Sequence, residues 1–291
     1  AISLFTFSYN LQSVPVGIIG ISFSVAAFPL LVQSFSNQNK KLFVDYIINS
    51  ARQIIFWSLP VIALFVVLRA QIVRVVLGVD TFSWSDTRLT AASLAIFVLS
   101  LATQSLVFLF VRGYYAAGNT KKPLIANISS AIIVIILSFV FMNLFKNNKE
   151  VLNYIEKILR VEGVPGTLML ALPLAYISGS FLNLFFLWKL FRKDFLQGVS
   201  SGLKKIFFQS LASSSVIGGV TYLLLAIFDD VFKVDTFWGI LAQGFFAGVF
   251  GILCGVFVLY LMKNKELAGL SLPIRHKFWK SKIVAPEQKE L

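Results

Sequence analysis

Long apolar runs alternate with short polar interruptions along the whole chain. No charged residue occurs from Leu89 to Val111, nor from Pro123 to Phe145, and the segment between, VRGYYAAGNTKKP, brings three cations, two tyrosines and a Gly-Asn pair. The same alternation predicts spans near residues 3 to 33, 43 to 77, 89 to 111, 123 to 145, 166 to 188, 206 to 228 and 237 to 262. Within each, apolar residues run all the way round instead of alternating, the pattern of lipid-embedded helices and not of barrel strands. A hydrocarbon core about 30 Å thick needs roughly 20 such residues, and every run supplies them. The expected fold is all-α: a polytopic membrane helix bundle of about seven transmembrane helices.

Local features refine this picture. Pro15, Pro29, Pro60 and Pro173 fall inside spans, where neighbouring helices or water must satisfy the carbonyls that proline leaves unbonded. The second run, as one helix of 35 residues, would reach about 52 Å at ~1.5 Å per residue, so one end is expected to project into water or line a wet cavity. Between the fourth and fifth runs, NNKEVLNYIEKILRVEG places Val151, Leu152, Ile155, Ile158 and Leu159 on one face and charges on the other. Residues 149 to 161 therefore read as a short amphipathic helix on the membrane surface.

Composition agrees with that reading: 57% of residues are hydrophobic, 13% are charged, and the mean hydropathy is +0.82. No ordinary soluble domain has these values. The net charge of +13 invites a nucleic-acid partner until its distribution is considered. Lys40 and Lys41, Arg112 with Lys121 and Lys122, the cluster from Lys189 to Lys205, and the tail from Lys263 to Lys289 fall on one side of the alternating loops. Arg69, Arg74, Arg88, Lys146, Lys149, Lys157, Arg160 and Lys233 fall on the other, where carboxylates offset them. By the positive-inside rule the first side, with the carboxy terminus, is cytoplasmic. The positive excess then reports topology and attraction to anionic membrane lipids at the cytoplasmic loops, and no nucleic acid is needed to explain it.

Enzyme chemistry finds no foothold. The one histidine, His276, lies in the basic tail, and the one cysteine, Cys254, lies within the last span as a small packing residue. No Asp or Glu falls in the core of a span, so no carboxylate pair, metal site or cofactor is expected, and no Walker loop is present. In the last span Gly244, Gly248, Gly251 and Gly255 share one helix face, where a second backbone can approach. Ser210, Ser214, Gly218 and Gly219 of the sixth span offer a matching surface, so direct packing of these two helices is expected. In the first interruption, Gly118 and Asn119 permit the reversal and Pro123 opens the next helix.

SYNLQSVPVGIIGISFSVAAFPLL, then SARQIIFWSLPV, then RGYYAAGNTKKP resemble the carboxy-terminal lobe of the MurJ (MviN) lipid II flippases, within the multidrug and polysaccharide exporter superfamily. The resemblance rests on Pro15, Gly17, Gly20 and Pro29; on Arg52 and Pro60; and on Arg112, Tyr114, Tyr115, Ala116, Thr120 and Pro123, in that order and spacing over residues 5 to 125. It implies fourteen spans in two lobes in a bacterial inner-membrane protein, with this chain holding the last seven. That fits a chain that opens AISLFTFSYN already inside a helix, as a fragment whose amino-terminal part is missing. Residues 1 to 193 would be second-lobe helices, 194 to 262 two additional spans bordering a polyprenyl-tail groove, and 263 to 291 a basic cytoplasmic tail.

The implied substrate is lipid II or a related polyprenyl-pyrophosphate lipid, moved by alternating access through a cationic cavity. The headgroup candidates are Asn10, Gln12, Arg52, Gln104 and Arg112. Each has a plainer reading: Arg52 as a snorkelling cation, Arg112 with Tyr114 and Tyr115 as an interface anchor, and the amides as interhelical hydrogen-bonders. Two positions depart from the family pattern: Asn10 stands where many relatives carry Arg, and Ser138 where they often carry Asn, which puts a sodium site in that helix in doubt. A polysaccharide-lipid or drug exporter of the same superfamily and a non-transporting scaffold are the other function classes.

Overall fold

The computed structural model describes residues 2–78, 83–196, 202–232, 236–264 and 266–267. Among these, all regular structure is helical, and six helices plus one bent pair are long and apolar enough to cross a membrane. The first crossing joins α1 (Ile2–Pro15) to α2 (Ser22–Ser36) through a π-helical stretch, Val16–Ile21. There the Ser22 N–H reaches back to the Gly17 carbonyl, one residue further than in an α-helix. A β-carbon on Gly20 would sit 2.9 Å from the Ser105 Cα, so the glycine lets two helix backbones touch at this point.

The second run is not one helix. α3 (Lys40–Val67), capped by Asn39 through the Leu42 N–H at 3.0 Å, ends at Leu68, and α4 (Arg69–Leu77) starts anew where Arg69 closes the uncharged stretch that follows Gln53. The long single rod expected from the sequence is therefore corrected to a spanning helix and a short terminal one. The third crossing is broken as well: α5 (Trp84–Val98) and α6 (Leu101–Ala116) meet at a bend of 42°. No proline or glycine lies at that bend. Instead the Ser100 hydroxyl donates to the Phe97 carbonyl at 2.6 Å and the Thr103 hydroxyl to the Ser100 carbonyl at 2.7 Å, side-chain bonds that compete with the helix ladder.

The fourth crossing, α7 (Lys121–Asn147), exposes Ile128, Ile132, Ile135 and Phe139 along its outer side, apolar surface suited to hydrocarbon and not to water. α8 (Lys149–Leu159) then folds back. Its Val151, Leu152, Ile155 and Leu159 pack against a cluster that holds Leu4, Phe145, Val161 and Met169. Its apolar face thus covers the end of the bundle instead of lying free in lipid, while Tyr154 and Ile158 stay exposed. A short turn, Thr167–Leu170, leads into α9 (Ala171–Phe195), and α10 (Leu203–Phe228) and α11 (Phe237–Leu261) complete the seven crossings.

Two core clusters mark the ends of the bundle: the one beside α8, and one around Leu31, Phe43, Tyr114 and Phe191 at the lysine-rich end. The basic tail beyond Leu267, with His276, lies outside the described residues.

Candidate functional site

The bend in the third crossing carries a buried polar relay. Gln104 donates to the Ser100 hydroxyl at 2.6 Å and, more weakly, to the Gln12 carbonyl oxygen at 3.5 Å, and it accepts from the Tyr176 hydroxyl at 3.0 Å. Gln12 is buried, and Tyr9, Phe97 and Tyr176 meet edge to face around the relay. Two of the headgroup candidates, Gln12 and Gln104, are thus brought together, in the interhelical role that was their plainer reading. Asn10 is not part of the relay and lies exposed on α1.

At the lysine-rich end the cations fall in different surroundings. Arg52 is half-buried, and its Nη2 lies 2.9 Å from where a β-carbon of Gly202 would be, level with the start of α10. Arg112 is half-buried on α6, one turn from the turn motif. Tyr114 does not face outward as an interface anchor would: it is fully buried, packs edge to face on Phe191 and Phe195, and donates to Asp194. Tyr115, 47% exposed, keeps the surface position. Lys122, read from the sequence as a topology signal, also forms an ion pair with Asp194 at 2.5 Å. The turn itself is as expected in kind: Gly118 takes φ +71°, a left-handed conformation, and the Asn119 side chain accepts from the Lys122 N–H. Helix α7 begins at Lys121, with the buried Pro123 inside its first turn.

The glycine face of α11 serves two neighbours. Gly251 and Gly255 lie on α10, but against Ser213, Ile217 and Thr221, and the Ser213 hydroxyl donates to the Gly255 carbonyl at 2.9 Å. Gly244 and Gly248 face Gln71 and Leu68, where α3 passes into α4, each with a notional β-carbon 3.3 Å from the nearest side-chain atom. Gly218 turns toward Ala63 and Val67 of α3, and Gly219 toward open space. The two helices pack together, but the surface of α10 that meets α11 is corrected from Ser210, Ser214, Gly218 and Gly219 to Ser213, Ile217 and Thr221. Spacing identifies a face of a helix; it does not say which neighbour fills it.

One arrangement escaped sequence reasoning. At the end opposite the lysines, Arg69 of α4, Arg88 of α5 and Arg160, the residue that ends α8, line a cleft of about 590 Å³ with Trp84, Tyr222 and Asp229. Arg88 donates to the Arg160 carbonyl through Nε at 3.1 Å and Nη2 at 2.5 Å, Arg69 donates to the Leu159 carbonyl at 3.2 Å, and Arg160 donates to the Tyr222 hydroxyl at 2.9 Å. Burial, with the nearby Arg160 charge, lowers the pKa of the Arg69 guanidinium. A second hollow of about 450 Å³ shares Trp84 and Asp229 with the cleft and adds Arg74 and Gln243. These arginines come from three separate helices, α4, α5 and the end of α8, and no local pattern announces their meeting.

Among the described residues, six apolar helices and one bent pair long enough to cross a membrane, packed around an apolar core with a few buried hydroxyls and amides, define an integral membrane protein of the polytopic helical type. The family model for the lipid II flippase MurJ matches residues 1–243, and the chain belongs to that family. A probable lipid II flippase MurJ of Thermotoga maritima is 28% identical over 268 residues, 92% of this chain and 46% of that protein. A second, from Rhizobium tropici, is 27% identical over 124 residues, 43% of this chain and 23% of that protein. A solved lipid II flippase MurJ in an inward closed conformation superposes with a TM-score of 0.64 at 19% identity, over 92% of this chain and 48% of that one, a likeness of fold. The chain spans about half the length, or less, of the relatives it matches.

Proposed function

We propose that this chain provides the second, carboxy-terminal lobe of a flippase that carries lipid II, the polyprenyl-pyrophosphate-linked peptidoglycan precursor, from the cytoplasmic to the periplasmic leaflet by alternating access. The observation that carries the reading is the family match across residues 1–243. A pyrophosphate and sugar headgroup cannot cross hydrocarbon without a polar path, and guanidinium groups, which pair bidentately with phosphate oxygens, suit the mouth of such a path. Arg52 and Arg112 stand at the lysine-rich end, taken as cytoplasmic, where the headgroup is first met. The lysines of that end attract anionic lipid, the carboxy terminus lies on the same side, and α10 with α11 borders a groove for the polyprenyl tail.

The test is complementation of a flippase-depleted bacterium with the intact protein, followed by lipid II translocation in proteoliposomes. Rescue is expected. Arg52→Ala should lower translocation more than Arg52→Lys, which keeps the charge and loses the fork. Failure of the intact protein to rescue at normal membrane levels overturns the reading, and full activity of both Arg52 variants reduces Arg52 to a snorkelling residue.

A further inference from the structure

The arginine cleft has three properties that go beyond the bonds its guanidinium groups make to the last carbonyls of α8 and to Tyr222. First, Arg69, Arg88 and Arg160 are gathered from three segments, and among the described residues none of them meets a carboxylate within ion-pair distance. Asp229 lines the same cleft, but its Oδ1 is taken by the Gln243 amide at 2.6 Å. Like charges brought together without counter-charge repel one another, and a structure that keeps them so is completed by an anion.

Second, Arg160 ends α8 in the left-handed region, φ 59° and ψ 43°, the position where helices ordinarily place glycine. A non-glycine residue there is strained, and the strain has a visible product. It presents the Arg160 carbonyl to Arg88 while the Arg160 guanidinium reaches Tyr222, with its Cζ 5.7 Å from the ring centre. Third, the cleft sits just past the last apolar turns of α3 and α10 and at the first turn of α5, with Trp84 64% exposed and Tyr222 50% exposed on its rim. That is headgroup depth, where tyrosine and tryptophan concentrate and where phosphate is the abundant anion.

We infer that Arg69, Arg88 and Arg160 form an oxyanion site for the phosphate or pyrophosphate of a lipid headgroup, at the end of the bundle opposite the lysine-rich loops. Guanidinium N–H groups match the planar pairs of phosphate oxygens, and the donors that Arg69, Arg88 and Arg160 do not spend on the α8 carbonyls and Tyr222 suit two linked phosphates better than a single carboxylate. Resting on the flippase reading, the site is one that holds the pyrophosphate after the headgroup has crossed, before the lipid leaves for the outer leaflet. Arg52 and Arg112, at the lysine-rich end, are separate from it.

The site is tested by binding, without transport. The intact protein in phosphatidylcholine nanodiscs is titrated with inorganic pyrophosphate and followed by the fluorescence of Trp84, with Trp84→Phe as the control that should abolish the signal. Arg160→Gly removes one guanidinium while relieving the backbone, so it should keep the melting temperature and weaken pyrophosphate about tenfold or more, the scale of one charged hydrogen bond. Arg69→Gln combined with it should weaken binding further, and Arg69→Lys less. Nanodiscs containing a polyprenyl pyrophosphate should compete with the soluble anion at lower mole fraction than nanodiscs containing phosphatidylglycerol; the reverse order overturns the assignment to a pyrophosphate lipid. Absence of saturable binding, or equal affinity in wild type and in folded Arg160→Gly, overturns the site itself. A protein that binds pyrophosphate here yet moves no lipid II refutes the flippase reading and leaves the site standing.

Discussion

The Tyr114 hydroxyl donates to Asp194 Oδ2 at 2.9 Å, the same oxygen that pairs with Lys122 at 2.5 Å. One carboxylate thereby ties together α6, α7 and α9 at the lysine-rich end, directly above the Phe43 and Phe191 cluster. The two donors do not contribute equally. The ion pair is partly exposed, with side chains 38% and 22% accessible, so Lys122→Ala should cost no more than about 1 kcal/mol. Tyr114→Phe removes a bond made by a buried ring, at about 1 kcal/mol. Asp194→Ala should exceed both, because it leaves the buried hydroxyl unpaired at a cost of about 1–3 kcal/mol. Thermal melting in detergent ranks the three, and Lys122→Ala proving the most harmful would contradict the arrangement.

The Gln104 relay predicts coupling. Gln104→Leu strands the Tyr176 hydroxyl between helices, and Tyr176→Phe removes that same hydroxyl, so the double variant should be less damaged than the two single effects together. The expected coupling is about 0.5–3 kcal/mol, read from a double-mutant cycle on melting. Strict additivity would mean that the 3.0 Å bond contributes nothing to the stability of the bundle.

What the sequence made legible and what it hid follow from the range of the forces involved. The crossings are legible because hydrocarbon demands a long run of apolar residues, and such a run can be read locally. The interruptions inside runs are not. The break at Leu68 and the Leu99 to Ser100 bend depend on where hydroxyls and Arg69 fall relative to neighbouring helices, and no proline or glycine flags either one. Gln12 and Gln104 stood out as polar residues in apolar runs, but only the fold brings their amides within reach of each other and of Tyr176. Arg69, Arg88 and Arg160 were counted as charges of one side, which is all that their separation in sequence permits. Their convergence is a property of the third dimension.

The divided glycine face makes opposite predictions for neighbouring glycines. A methyl group on Gly251 would strike the Thr221 side chain and lie 3.1 Å from the Ile217 carbonyl, whereas nothing lies within 4 Å of one on Gly219. Gly251→Ala should therefore lower the melting temperature, and Gly219→Ala should leave it level or raise it, since alanine is favoured over glycine inside a helix by about 0.5–1 kcal/mol. Equal effects of the two would show that α10 and α11 do not approach along the Gly251 side.

The same geometry fixes a crosslinking pattern. In a Cys254→Ser background, cysteines at Leu68 and Gly248 should join readily through a short bismaleimide, because the Leu68 Cδ1 lies 3.3 Å from the Gly248 β-position. Cysteines at Ser214 and Gly248 should not, as Gly248 looks toward the junction of α3 and α4 rather than toward Ser214. A strong 214 to 248 product with no 68 to 248 product would restore the packing expected from sequence spacing.

Orientation is the remaining expectation open to direct measurement. Seven crossings place the turn after α6 and the helix α8 at opposite ends, and lysines dominate the first while carboxylates offset cations at the second. The positive-inside rule then puts Tyr115 in the cytoplasm and Tyr154 outside it. Both are accessible, Tyr115 at 47% and Tyr154 at 68%, so a cysteine at either is within reach of a reagent and neither should disturb packing. With Cys254 replaced by serine, an impermeant maleimide added to intact spheroplasts should modify Tyr154→Cys and spare Tyr115→Cys, which should react only after permeabilisation. Modification of Tyr115→Cys from outside would invert the bundle. It would then place the Arg69, Arg88 and Arg160 cleft on the cytoplasmic side, where it would receive a headgroup instead of releasing one.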